Sequence, residues 1–194
     1  HGLPFSKPMQ IYAGTYDDIS DASIVIITAG TGQKEGETRL DLVHRNVSIY
    51  KSIIPQITGR NFKGILLIVS NPVDILTYTA LKLSGLPSNR VFGSGTVLDM
   101  ARLKYLLGEQ LGVDSRSVHA FILGEHGDSE IAAFSSANVS GIPLKQFCAD
   151  NCGNICHADK MKEIAEDVKN SAYVIIINKN ATYYGIAMSV RRIC

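Results

Sequence analysis

Short apolar runs rich in β-branched residues recur along the first half of the chain: Ile24 to Thr28, Ile65 to Ser70, and a weaker one around Arg90 to Gly93. Longer helix-compatible stretches lie between them, Leu40 to Ile57 and Val73 to Leu83. This alternation lays strands side by side in a parallel sheet with helices across its faces. The strongest strands are continuously apolar instead of alternating, as expected where helices cover both faces. The sequence therefore predicts an α/β fold. In an open sheet of this kind a ligand sits at the carboxyl ends of the strands, which here carry "TAGTGQ" and "SNPVD".

After Gly93 the texture changes. "GSGTVLDMARLKYLLGEQLG" predicts a loop opening into a helix near Thr96, "SVHAFILGEHGDSE" a strand followed by a polar loop, and Ala158 to Ile177 a further helix. "GIPLKQFCADNCGNICHAD" is the most loop-like segment. A boundary near Gly93 divides the chain into residues 1–93 and 94–194. No internal repeat, low-complexity tract or Pro-rich linker interrupts it.

At 194 residues, with 45% hydrophobic and 19% charged positions, the chain has the composition of a globular protein and not of a disordered one. Its formal charge of +1, from 19 basic and 18 acidic side chains, supplies no field that would draw it to nucleic acid or an anionic membrane. No apolar run reaches the roughly 18 residues that span a bilayer. The opening "HGLPFSKPMQ" carries neither an initiator Met nor a signal-peptide core. Cys148, Cys152 and Cys156 crowd one window, and Cys194 ends the chain. Their three-residue intervals fit neither a zinc knuckle nor haem attachment before His157, so no metal is expected and free thiols in a reducing cytoplasm are.

Three places could carry chemistry. The polar segment "GQKEGETRLD" directly follows an apolar strand; its glycines permit a mobile loop, and Gln33 and Arg39 are side chains that can meet a polar ligand. An ordinary solvated turn is the plain alternative. In the helix opening near Thr96, Asp99 and Arg102 are three residues apart and project from neighbouring positions, either as an intrahelical ion pair or as a working pair that needs a partner. The candidate partner is His126 in "LGEHGDSE", whose imidazole titrates near neutrality and can shuttle a proton while a carboxylate orients it.

Taken together, "ITAGTGQKEGETRLDLVHRN", "VSNPVDILTY", "VFGSGTVLDMARLK", "SVHAFILGEHGDSE" and "NATYYGIA" resemble, in order and spacing, the L-lactate dehydrogenases of bacterial type within the lactate/malate dehydrogenase family. The resemblance covers nearly the whole chain and matches poorly only in the Cys-rich loop. It implies a partial Rossmann-type parallel dinucleotide-binding sheet over 1–93, followed by part of a mixed α+β substrate domain over 94–194. It also implies NAD as cofactor, pyruvate and L-lactate as substrates, and an NAD-dependent oxidoreductase of glycolysis and pyruvate fermentation that is a cytoplasmic homotetramer when full-length.

Carried over by the resemblance, His126 is the acid/base at the substrate carbonyl and Asp99 the carboxylate that orients it. Arg102 anchors the substrate carboxylate, its planar fork suiting the task. Arg39 polarises the reacting carbonyl from the loop, and Gln33 faces the substrate's methyl end. Asn71 lies near substrate and nicotinamide, and Thr182 lines the substrate pocket. Ser94 and Ile186 border the nicotinamide, and Thr28, Ala29, Gly30 and Val69 meet the cofactor. The polar segment then reads as a lid that closes over the substrate and expels water. Lys104 and His119 match positions that bind fructose 1,6-bisphosphate in allosteric relatives, with Lys where the family has Arg.

Several departures qualify this. Glu35 stands where the family usually has Pro, Asn180 where it has Gly, and "AGTGQ" where "AGAxQ" is commoner. A GxGxxG fingerprint and an acidic ribose-binding residue are missing from the sequence. The expectation is a piece of an intact enzyme, inactive by itself, with a truncated product as the alternative. The rival functions are malate dehydrogenase or another 2-hydroxy acid dehydrogenase, against which Gln33 argues because it offers a second carboxylate no charge, and a non-catalytic protein on the same scaffold.

Overall fold

The computed structural model describes residues 8–32, 36, 38–151 and 157–194, with the side chains of Arg39 and Asn151 excepted. It falls into two compact units, His1–Asn71 with Ile75–Phe92, and Pro72–Asp74 with Gly93–Cys194.

In the first unit, β1 (Ile24–Ile27), β2 (Ile65–Ile68) and β3 (Val91–Gly93) form a sheet in that order, with β1 and β2 parallel and Ile24 opposite Ile65. Helix α1 (Arg39–Thr58) connects β1 to β2, and α2 (Val73–Ser84) leads from β2 towards β3. Thr38 starts α1 through a capping box: its hydroxyl accepts from the Asp41 amide while the Asp41 carboxylate accepts from the Thr38 amide. From there Tyr50, Ile54 and Ile57 of α1 are buried, as are Leu76 and Ala80 of α2.

The central strand meets its expectation, Leu66, Leu67 and Ile68 being fully buried. In β1, at the edge of this sheet among the described residues, Ile24 and Ile26 are 38% and 41% exposed. Period-two side chains send Ile24 and Ile26 to one face and Val25 and Ile27 to the other. Only Ile27 is buried, so an apolar run predicts a strand without guaranteeing cover on both sides.

The second unit is built on α3 (Val97–Leu111). Leu103, Leu107 and Leu111 recur every four residues and form one buried stripe. The stripe packs with Val118, Ile122, Val139, Leu144, Ile164 and Val168 in a single core, each fully buried Leu contributing about 2 kcal/mol. Around it stand the antiparallel ladder of β4 (Val118–His119), β7 (Asn138–Val139) and β8 (Ile142–Pro143), the hairpin of β5 (Ile122–Leu123) and β6 (Ile131–Ala132), and helices α4 (Leu144–Asn151), α5 (Ala158–Lys179) and α6 (Tyr184–Ile193).

Two expectations are corrected here. The segment read as most loop-like holds β8 and α4, because Leu144 and Cys148, one turn apart, both face the core. Cys148 is disulfide-bonded instead of a free thiol, whereas Cys194 is free and exposed. Cys152 and Cys156 lie outside the described residues. Among the described residues no helix is long and apolar enough to cross a membrane.

Helix α3 ends at Gly112, which takes a left-handed φ of 66° while the Val113 amide reaches back 3.0 Å to the Gly108 carbonyl. Gly112→Ala should lower stability by about 1 kcal/mol through that backbone strain alone. A urea melt that does not shift would contradict the strained cap.

Candidate active site

The hairpin of β5 and β6 and the first turn of α3 bring the reactive side chains together within the second unit. The Thr96 hydroxyl, at the head of α3, donates to the Ile122 carbonyl of β5 at 2.9 Å and fixes helix against hairpin. The loop between the two hairpin strands carries His126. Its backbone amide donates to the Asp74 carboxylate at 3.0 Å, which sets the ring's position.

Asp99 divides its two oxygens between two partners. Oδ1 accepts from Arg102 Nη1 at 3.0 Å, and Oδ2 lies 2.6 Å from His126 Nδ1. Counting back four residues from Leu103 along the buried stripe lands on Asp99, which explains why this carboxylate is only 2% exposed. Its neighbours decide its charge. Burial alone would push the Asp99 pKa up, but the hydrogen bond and charge of His126, with the Arg102 guanidinium, hold it below the usual carboxylate value. The same hydrogen bond from Asp99 raises His126 against the opposing effect of burial, aided by the charges of Asp99, Glu130 and Asp74.

With Asp99 ionised, Nδ1 must be the donor to Oδ2, and Nε2 is the ring nitrogen left to give or take a proton. The arrangement is a proton donor, its pKa raised by the Asp99 carboxylate, beside a guanidinium fork. Glu130 completes the group, with its oxygen, Asp99 and His126 Nδ1 all within 4.8 Å of one another. The 2.6 Å contact between Nδ1 and Oδ2 is a charge-assisted hydrogen bond, and a protonated Nδ1 has no lone pair to offer an ion.

In the first unit, α1 fixes the two loops at the carboxyl ends of β1 and β2. Asn46 is fully buried; its Oδ1 accepts from the Thr31 amide at 2.8 Å, and its Nδ2 donates to the Thr31 and Asn71 carbonyls at 3.2 and 3.1 Å. One turn on, the Tyr50 hydroxyl bonds the Ser70 hydroxyl at 3.3 Å, and Ser70 donates to the Ala29 carbonyl at 2.6 Å. Arg45 donates to Thr31 Oγ1 and to the Gly32 carbonyl, each at 2.8 Å. A side chain at Gly30 would meet Asn46 Oδ1 and Ser70 Cβ at 3.3 Å, so close packing favours glycine there.

Of the residues singled out from sequence, Asp99, Arg102 and His126 come together directly. The intrahelical ion pair of Asp99 and Arg102 exists, and the same carboxylate also meets His126. Thr28, Ala29, Gly30 and Asn71 are exposed at the strand ends, and Val69 is half-buried. Ser94 is buried; Thr182 and Ile186 are half-buried, Ile186 on α6. Lys104 is half-buried on α3, and His119 is exposed on β4. Gln33 lies outside the described residues, and of Arg39 the structure describes the backbone, at the first position of α1.

Sequence reading missed Asp74, Asn46, Arg45 and Glu130. Asp74 carried a signal, being an acid in the first turn of the helix after "SNP". Asn46 also carried one, a polar residue four before Tyr50 on the buried side of α1. Arg45 and Glu130 had none beyond their charge.

Comparison with known proteins agrees with this architecture. Residues 1–93 match the family described as lactate/malate dehydrogenase, NAD binding domain, and residues 96–194 match its alpha/beta C-terminal domain. The chain is 57% identical over 193 residues to an L-lactate dehydrogenase of Acetivibrio thermocellus and 53% identical to one of Thermoanaerobacterium saccharolyticum, covering all of this chain and 61% and 62% of theirs. Among solved structures it resembles the lactate dehydrogenase MGS-M5 from a Medee basin deep-sea metagenome, with a TM-score of 0.94 and 49% identity over all of this chain and 61% of that one. The minor L-lactate dehydrogenase of Enterococcus mundtii, in its ligands-bound form, gives a TM-score of 0.92 at 46% identity over 99% of this chain and 61% of its own. The chain thus spans about three-fifths of the length of these relatives.

Proposed function

Because the chain belongs to the lactate/malate dehydrogenase family, we propose that its site interconverts pyruvate and L-lactate by hydride transfer with NAD, His126 being the proton donor and acceptor. One observation carries the reading: a buried Asp99 carboxylate 2.6 Å from His126 Nδ1 fixes the ring so that Nε2 carries the exchangeable proton.

NAD asks for exposed backbone at the carboxyl ends of parallel strands, and Thr28, Ala29 and Gly30 after β1 and Asn71 after β2 offer it. Val69, Ser94 and Ile186 are the further residues we assign to it. When bound, the dinucleotide supplies or accepts the hydride at the substrate's carbonyl carbon.

The chain's own residues do the rest. His126 as imidazolium gives its Nε2 proton to the carbonyl oxygen, and takes one back in the oxidative direction. Asp99 stabilises the charged ring through Nδ1. Arg102 commits Nη1 to Asp99, and the rest of its five-donor fork takes the substrate carboxylate. Asp99 therefore ties the group that holds the substrate to the group that protonates it. Arg39, which polarises the carbonyl, and Gln33 and Thr182 are the further residues we assign to the substrate. Fructose 1,6-bisphosphate as an activator at Lys104 and His119, a homotetramer and a cytoplasmic location complete the proposal.

Steady-state NADH oxidation by the full-length protein, with pyruvate and with oxaloacetate, tests the assignment. Pyruvate should have the higher kcat/KM, because neutral Gln33 would leave oxaloacetate's second carboxylate unpaired. Preference for oxaloacetate would make the enzyme a malate dehydrogenase. NADH binding without turnover of either acid would make it non-catalytic.

A further inference from the structure

Glu130 sits at the foot of the hairpin loop, is only 4% exposed, and its Oε2 is buried without a hydrogen-bond partner. That oxygen lies 3.8 Å from His126 Nδ1, on the side of the ring that Asp99 already holds. The other carboxylate oxygen does not leave the group balanced, because a second acid this close to Asp99 places two potential negative charges around one imidazole and one guanidinium.

We propose that Glu130 is a positioning residue that shares protons with the Asp99–His126 pair, so that the three side chains titrate as one buried unit. This rests on the proton-transfer reading of the site. With His126 charged, Arg102 and the imidazolium balance Asp99 and Glu130, and the group is neutral. When His126 gives up its proton, Arg102 alone faces two carboxylates in a place where an unbalanced charge is costly, and Glu130 is driven to take a proton from solvent. While Glu130 holds that proton the group carries no net charge, and the ring is recharged against a neutral acid instead of an anion.

The charged groups around Glu130 agree with this. Asp99 on α3 is the near anion, and Arg102 beside it is already bonded to Asp99 Oδ1. On its own loop stand His126 and the Gly127 amide, which bonds the carboxylate and favours its ionised form. Asp74 faces the loop from the His126 amide. On α5, Lys162 and Lys169 line the cavity onto which Glu130 opens, Lys169 lying 3.8 Å from Glu166. Burial first, then the charge of Asp99, outweighs the Gly127 amide and raises Glu130 above an ordinary glutamic acid.

Nuclear magnetic resonance titration reads this without turnover, so it can fail while the dehydrogenase reading stands, or succeed where that reading fails. In the unaltered protein, the Glu130 13Cδ shift should titrate above the ordinary glutamate range and show a second inflection at the pH where the His126 15N shifts move. In Glu130→Gln, of nearly the same shape, the His126 midpoint should move to lower pH, because the ring loses an anion it can face, and its curve should become a single step. An ordinary single-step Glu130 titration, or a His126 midpoint unmoved by the substitution, overturns the proposal. The first measurement needs no variant, so failure of Glu130→Gln to fold leaves the test intact.

Discussion

His126→Gln in the full-length protein should lower turnover of pyruvate by about 10² to 10⁴-fold, the usual contribution of a general acid or base, while NADH binding stays nearly unchanged. Glutamine keeps a polar side chain in the loop but can neither give up nor accept a proton at the Nε2 position. Stopped-flow reduction of pyruvate separates the outcomes, and near-normal turnover would remove His126 from the chemistry. The pH dependence of the unaltered enzyme has a defined sign. Reduction needs the imidazolium, so its rate should fall as pH rises through the raised pKa of His126; oxidation of lactate needs the neutral ring and should rise over the same interval.

The same shifts act on stability. The raised His126 pKa means that its bond to Asp99 stabilises the fold fully below the unfolded histidine value and is lost as pH climbs through the folded value. The lowered Asp99 pKa contributes stability above the unfolded carboxylate value, which is lost as pH falls through the folded one. The pair thus supports the fold most strongly between those two limits.

Much of this was legible in the residues because periodicity and chemistry coincided. The runs at Ile24 and Ile65 became parallel strands, and the helix expected near Thr96 begins at Val97. His126 found Asp99 because a strand-to-loop histidine and a first-turn carboxylate are residue types that pair. What sequence could not show was cover and contact. Ile24 and Ile26 look as buried as Leu66 and Leu67, and what separates them is the position of β1 at the sheet's edge among the described residues. Leu144 and Cys148 were lost in a stretch of turn-forming residues, although their spacing suits one helix face. Glu130 reads as a solvated loop acid until the hairpin folds it under His126.

Asn46→Asp is the variant expected to cost the most stability for the least change in shape. The native amide satisfies three backbone groups at once: the Thr31 amide through Oδ1, and the Thr31 and Asn71 carbonyls through Nδ2. No rotation of the amide helps, since an N–H must meet oxygen and two carbonyls must meet a donor. A carboxylate keeps the first bond but turns a bare oxygen on both carbonyls, in a position fully shielded from water. Uncompensated buried charge of this kind costs about 3–5 kcal/mol. Taking up a proton relieves the charge, yet one O–H still serves only one of the two acceptors. The new carboxyl therefore has a folded pKa above its unfolded value, so the variant loses stability as pH rises from the unfolded value upward and recovers part of it on acidification. Urea melts of both proteins at pH 5 and pH 7 decide it: the gap between them should be several kcal/mol at pH 7 and smaller at pH 5. A gap below about 1 kcal/mol, typical of a single exposed hydrogen bond, would mean that Asn46 does not hold these loops together. A large gap that ignores pH would mean that shape, and not the amide's two donors, is what the site requires.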